Sequence, residues 1–138
     1  MIEGGIYDQL GGGFSRYSTD GQWLAPHFEK MLYDNALLVT TLSEAYQLTK
    51  KESYHKAITE TLAFVENELM DADGGFLSAL DADSEGVEGK FYTWSSSEII
   101  SLLQKSAPLF MAYYGVTEAG NWEHTNILHT PQPISAVA

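Results

Sequence analysis

Cysteine is absent from the 138 residues. Disulfides, zinc–thiolate centres and thiol nucleophiles are therefore excluded within this segment. Basic residues are scarce: 7 Lys and Arg against 19 Asp and Glu leave a formal charge of −12. So acidic a chain repels a phosphate backbone or an anionic lipid surface, and it has no basic run to act as a footprint. Nucleic acid and membrane are thus not expected as partners, whereas a neutral polar ligand or a cation is. No stretch approaches the ~18 consecutive apolar residues of a membrane span. Met1-Ile2-Glu3-Gly4-Gly5 has neither the basic nor the apolar region of a secretory signal. A cytoplasmic location is the expectation. Gly11-Gly12-Gly13 is not followed by Lys-Ser/Thr and opens no helix, so a phosphate loop is not expected. No cofactor or resident metal is expected either. Charged residues are also few, 19% of the chain, which points to surface that further protein covers.

Apolar and aromatic material is plentiful enough for a core, at 44% and 12%. Residues 1–25 are broken by glycines, with Phe14 to Tyr17 reading as a short strand. Pro26 suits the first turn of a helix, where its missing N–H has no intrahelical partner. A helix is therefore predicted from Pro26 to about Thr49. Met31, Leu32, Ala36, Leu37, Leu38, Val39, Leu42, Ala45, Tyr46 and Leu48 surround its axis, the pattern of a buried helix. A second helix is predicted from Glu52 to Met70, with one apolar stripe through Tyr54, Ala57, Ile58, Thr61, Leu62, Val65 and Leu69. It should lie outside the first. Phe76 to Leu80 and Lys90 to Trp94 read as strands flanking an acidic loop, 81–89. Ser95 with Glu98 three residues on forms a capping box that starts another helix. Pro108 starts one more, through Tyr114, and Ile127–His129 reads as a short strand. The tail, 130–138, reads as loop.

Gly-Gly-Phe occurs at 12–14 and again at 74–76. Each copy leads through a turn-rich stretch into a helix. One helix pair and one decorated loop per repeat is a helical-repeat layout.

The densest polar cluster is His27, Glu29, Lys30, Asp34 and Asn35. On a helix, His27, Met31 and Asp34 would share a face. A His and a carboxylate there are candidates for general acid and base. The structural alternative pairs Lys30 with Asp34, sets Glu29 against the helix N-terminus and uses His27 in packing. The loop Asp81-Ala82-Asp83-Ser84-Glu85-Gly86 has the oxygen spacing of a calcium loop, but Tyr92 stands where that loop needs a bidentate Glu. Its other readings are a solvated turn and, with Phe91, Tyr92 and Trp94, a sugar-facing surface. Trp23, Tyr33 and Trp122 are either core residues or ligand platforms.

Long motifs then narrow the field. Gly4-Gly5-Ile6-Tyr7-Asp8-Gln9-Leu10-Gly11-Gly12-Gly13-Phe14, Arg16-Tyr17-Ser18, Trp23 and the run Pro26 to Ala36 are specific. So are Gly75-Phe76, Ser78 to Gly86, Glu88 to Tyr92 and Trp94. Together they resemble the YyaL / spermatogenesis-associated protein 20 family. That resemblance implies a mainly α fold: part of an (α/α)6 toroid of the six-hairpin glycosidase type, with short β-hairpins in its loops. Such a toroid is similar to N-acylglucosamine and cellobiose 2-epimerases. It implies that residues 1–138 are one internal piece, about two helical hairpins, that Met1 is not a biological start, and that the parent chain holds a thioredoxin-like domain and the rest of the ring. The family pattern often has His where this chain has Ser15.

A sugar-directed isomerase, epimerase or hydrolase is the expected function, and this piece alone is expected to be inactive. The alternative is a non-catalytic binding module serving the thioredoxin-like domain. Candidate catalytic residues are His27, Glu29, Asp34, Asp81 and Asp83. Arg16, Tyr17, Trp23, Tyr33, Asn35, Glu85, Tyr92 and Trp94 are the expected sugar contacts. Self-association through exposed inner-helix surface is also expected.

Overall fold

The computed structural model describes residues 1–137. It is helix-rich, with two-residue strands paired antiparallel in the loops. In order, β1 (Tyr17–Ser18), β2 (Pro26–His27) and β3 (Lys30–Met31) lead into α1 (Leu32–Thr49) and α2 (Glu52–Glu68). Then come β4 (Ala79–Leu80), β5 (Asp83–Ser84), β6 (Val87–Glu88), a 3-10 turn at Lys90–Tyr92 and β7 (Thr93–Trp94). α3 (Ser96–Leu103), α4 (Ala107–Tyr113) and β8 (Asn126–Ile127) follow. β1 pairs with β2, β3 with β4, β5 with β6 and β7 with β8.

The helix expected from Pro26 begins six residues later, at Leu32. Burial explains why. Along 26–31, Pro26, Phe28 and Lys30 are buried, while His27, Glu29 and Met31 are half-buried. That period of two belongs to extended chain, whose side chains alternate between faces. His27 therefore does not share a helix face with Asp34. Pairing to β1 on one side and to β4, far along the chain, on the other holds the run extended.

α1 and α2 form a helical hairpin. Lys50, in the left-handed region at φ 55, ends α1, and its N–H reaches the Tyr46 carbonyl. α2 matches its sequence pattern. It buries Ala57, Thr61 and Phe64, a stripe at helical spacing, with Leu69 buried just beyond. Its expected stripe member Leu62 is exposed. α1 is not enclosed as its apolar circumference predicts. Only Asn35 and Leu42 are buried, and Leu37 and Leu48 are 65% and 87% exposed. One face of α1 packs on α2; the other has no covering protein among the described residues.

Tyr7, Phe14, Leu42 and Ala57 form the core that ties the N-terminal loop to this hairpin. Phe14 is wholly buried, a contribution of about 2–3 kcal/mol from apolar transfer. Gly12 and Gly13 make that approach possible. Both have positive φ, and an added Cβ would meet the Glu60 carbonyl and the Phe64 ring at 2.5 and 2.4 Å. A second core of Ile99, Ala107, Val116 and Leu128 holds α3 on α4. The predicted capping box at Ser95 and Glu98 is present, and Pro108 sits in the first turn of α4. A third core, Phe28, Ala82 and Ile127, fastens the extended run to the later loops.

The strands predicted at Phe76–Leu80 and Lys90–Trp94 are shorter and do not flank the acidic loop as a pair. Ala79–Leu80 joins Lys30–Met31, and Thr93–Trp94 joins Asn126–Ile127. The acidic loop makes its own hairpin, turned by Glu85 and Gly86, both at positive φ. The Gly-Gly-Phe echo corresponds to a repeated turn. Asp8 Oδ1 accepts the N–H of Leu10 and Gly11, and Tyr7 bridges Phe14. Asp71 Oδ1 accepts the N–H of Asp73 and Gly75, and Met70 bridges Phe76. The copies differ in burial: Phe14 is enclosed and Phe76 is 61% exposed.

Among the described residues no helix is long and apolar enough to cross a membrane.

Candidate functional site

The alternation along 26–31 sends neighbouring side chains to opposite faces, and two polar clusters result. On one face lies Lys30, only 1% exposed. Its ammonium donates to Asp8 Oδ2 at 2.8 Å and the Gly12 carbonyl at 2.9 Å. It also lies 4.3 Å above the Phe64 ring centroid and 4.8 Å above that of Tyr92. Lys30 thus pairs with Asp8, 22 residues away, and not with Asp34. Burial lowers the Lys30 pKa more than the Asp8 charge raises it, the usual balance for an ion pair taken out of water. Burial also pushes the Tyr92 phenol up to about 12.

His27 and Glu29 occupy the other face. The His27 imidazole stacks on the Tyr17 ring, centroids 5.1 Å apart and planes 13° from parallel. Its Nδ1 is 3.9 Å from Glu29 Oε2. The Arg16 guanidinium donates to that same carboxylate oxygen at 3.1 Å. Hydrogen bonds with Tyr33, then Glu29, raise the Arg16 pKa. Asp34, in the first turn of α1, sits beside this group. Burial pushes its carboxyl above the usual carboxylate range; the Arg16 charge opposes this and that of Glu29 adds to it. His27 Nδ1 and Asp34 Oδ2 are both shielded from solvent and lack hydrogen-bond partners. Buried polar atoms are seldom left so without a reason.

Arg16, Tyr17, Trp23 and Asp34 line an open cleft of about 500 Å³, together with Leu37 and Leu38 of α1. His27, Glu29 and Tyr33 stand behind that lining through their contacts with Tyr17 and Arg16. Ser15, buried, borders the cleft. Trp23 is held at its rim by an unusual loop. Asp20 accepts the backbone N–H of Gln22, Leu24 and Ala25. Burial would raise the Asp20 carboxyl pKa, but these backbone N–H groups and that of Trp23 prevail and lower it. A groove of about 450 Å³ lies elsewhere, between α2 and Pro131–Pro133, where Tyr7 donates to Glu60 at 2.5 Å.

The structure therefore brings together Arg16, Tyr17, Trp23, His27, Glu29, Tyr33 and Asp34. It does not bring the other expected residues to the cleft. Asp81, Asp83 and Glu85 are exposed around the β5–β6 hairpin, where Glu85 is ion-paired with Lys90. No three acidic or imidazole side chains converge as a metal site among the described residues. Asn35, wholly buried, has its amide committed to backbone: Oδ1 accepts the Phe14 N–H at 2.7 Å, and Nδ2 donates to the Phe14 and Met31 carbonyls. Tyr92 stacks on Phe28, and Trp94 packs against the α3–α4 core. The contacts of these three, expected at the ligand, tie parts of the chain together. Asn126, which carried no signal in the sequence, makes a clamp like that of Asn35, bridging Trp94 and Thr117. Ser15 and Asp20 were also missed as cleft residues; only their proximity to Arg16 and Trp23 marked them.

A helical hairpin whose decorated N-terminal loops gather a His–carboxylate–Arg group beside an aromatic-edged cleft defines the class. No family model matches the chain. It is 44% identical over 137 residues to spermatogenesis-associated protein 20 of Homo sapiens, and 43% and 42% identical over 137 residues to the proteins of that name from Rattus norvegicus and Mus musculus. Each match takes in 88% of this chain and 17% of the relative. The chain belongs to the spermatogenesis-associated protein 20 family, and it spans about a sixth of the length of these relatives.

Proposed function

We propose that the chain is one segment of a helical toroid of the six-hairpin type, and that its cleft is part of a sugar-binding site where His27, Glu29 and Asp34 carry out proton transfer. The observation that carries this reading is the pair of shielded, unpartnered polar atoms, His27 Nδ1 and Asp34 Oδ2, in one cluster with Arg16 and Glu29. Such atoms are costly to leave unmade, and a ligand hydroxyl or carbonyl is a fitting partner. Two carboxylates stand in the cluster. Glu29 accepts a hydrogen bond from the Arg16 guanidinium. Asp34 has its pKa raised by burial, the direction that suits a carboxyl to proton transfer nearer neutral pH. An epimerase-like or isomerase-like reaction would take a proton from the carbon next to a sugar carbonyl and return it; a glycosidase-like one would protonate a leaving oxygen.

The uncovered face of α1 supports the toroid. Tyr33, Leu37 and Leu48 are 50%, 65% and 87% exposed, as an inner helix would be before neighbouring hairpins cover it. A thioredoxin-like domain in the same parent protein and a cytoplasmic setting belong to this proposal. Alone, the chain is inactive and associates with itself through that face; gel filtration of the chain as a clean monomer would count against this. Asp81, Asp83 and Glu85 stand outside the cleft and are given no catalytic role.

The test is turnover of mono- and disaccharides by a full-length family protein containing this segment. His27→Ala, Glu29→Gln and Asp34→Asn should each lower turnover about 10²–10⁴-fold, the range for a lost acid or base. Unchanged turnover in all three would defeat the proposal.

A further inference from the structure

Trp23 has a backbone φ of 63°. A bulky residue there is a real outlier, since the left-handed region crowds any Cβ. Such strain persists only where surrounding structure over-determines it, and it gathers at functional sites. Here the over-determination is visible. Asp20 grips the N–H groups on both sides, those of Gln22, Leu24 and Ala25. The Trp23 carbonyl accepts the Ile6 N–H at 3.1 Å. Gly4 packs so close that a Cβ on it would fall 2.4 Å from that carbonyl oxygen. All of this holds a tryptophan that is 45% exposed at the rim of the cleft. A core tryptophan needs no such arrangement.

The charge around the cleft is equally informative. Arg16 is the only basic side chain in its lining, and its guanidinium is already paired with Glu29 at 3.1 Å. Asp20 and Asp34 line the same cleft. A phosphate or sugar acid would meet two carboxylates and an arginine side chain that is already paired. A neutral ring with C–H groups on one face and hydroxyls at its edge would find an aromatic surface, a donor and acceptors.

We infer that Trp23 is a pre-set stacking platform, and that with Tyr17, Arg16 and Asp34 it forms a subsite for a neutral pyranose that rejects sugar phosphates. The inference rests on the sugar reading above and deepens it to a substrate class. The strained loop fixes the ring before the ligand arrives, so little ordering cost remains for binding.

Intrinsic fluorescence and thermal shift of a full-length family protein containing this segment provide the test. The probes are glucose, N-acetylglucosamine, cellobiose and glucose 6-phosphate. The expected result is a response to at least one neutral sugar and none to the phosphate. Trp23→Phe should keep binding but lose the fluorescence response. Trp23→Leu, similar in bulk but without a flat π face, should weaken binding about tenfold. Trp23→Gly keeps the backbone angle and removes the ring, so it should weaken binding at least as much while the protein stays folded. Neutral-sugar binding that Trp23→Leu leaves intact would overturn the platform, and tighter binding of glucose 6-phosphate would overturn the charge argument. No response to any sugar by the unaltered protein would defeat the sugar reading itself, and the platform with it.

Discussion

Lys30 and Glu29 are adjacent in sequence, yet they belong to polar clusters of opposite character. The Lys30 cluster is closed: its ammonium has a carboxylate, a carbonyl and two aromatic faces around it. The Glu29 cluster is open: His27 Nδ1 and Asp34 Oδ2 lack partners, and a cleft lies in front. The difference shows how one extended run serves two ends. A satisfied buried network specifies structure; in the proposed reading, an unsatisfied one beside a cleft is where a ligand would supply the missing partners. Composition does not separate them, for both mix a cation, a carboxylate and an aromatic ring. What separates them is whether each hydrogen-bonding atom has a partner.

Lys30→Met should break this comparison most severely. It leaves Asp8 partly buried without its cation and should cost about 3 kcal/mol or more, read by thermal or urea unfolding. Asn35→Ala comes next. It orphans the buried N–H and carbonyl of Phe14 and should cost about 2 kcal/mol in the same measurement. On the open face, His27→Ala should change stability by about 0.5 kcal/mol or less, since no hydrogen bond of Nδ1 is lost.

The smallest effect concerns pH. The folded state raises the Asp34 pKa above its unfolded value, so the native chain binds the proton more tightly. Its contribution to stability is then fully present below the ordinary carboxyl pKa and is lost as pH rises through the folded one. Asp34→Asn should therefore melt close to the unaltered chain in acid and above it at neutral pH. Melting curves that stay parallel across that window would show that Asp34 carries no such penalty.

Much of this was legible in the sequence because it was local. The Ser95–Glu98 capping box, Pro108 in the first turn of α4 and the stripe of α2 all depend on residues within two turns of one another. The run from Pro26 to Met31 was not legible as extended chain. Pro26 fits a helix start equally well, and Phe28, Met31 and Leu32 satisfy a helical period. The decision came from strand partners outside the run: Tyr17 and Ser18 across a loop on one side, and Ala79 and Leu80, far along the chain, on the other. For the same reason Lys30 was assigned to nearby Asp34 and not to Asp8. The residues of the open cluster all stand within the sequence motifs, although His27 lies on extended chain and not on a helix. Asn35, Tyr92 and Trp94 show the converse: a polar or aromatic side chain in a motif can be there for the fold. α1 is less enclosed than its sequence predicts because an apolar circumference states what a helix needs covered and not what covers it.

The most direct measurement is the melting temperature of a full-length family protein containing this segment, as the unaltered protein and as His27→Ala, Asp34→Asn and Lys30→Met, each with and without a neutral sugar that it binds. The account predicts that Lys30→Met melts far below the unaltered protein, whereas His27→Ala and Asp34→Asn melt near it but lose the sugar-induced rise. It is contradicted if His27→Ala and Asp34→Asn lower the sugar-free melting temperature as much as Lys30→Met, or keep the full rise with sugar.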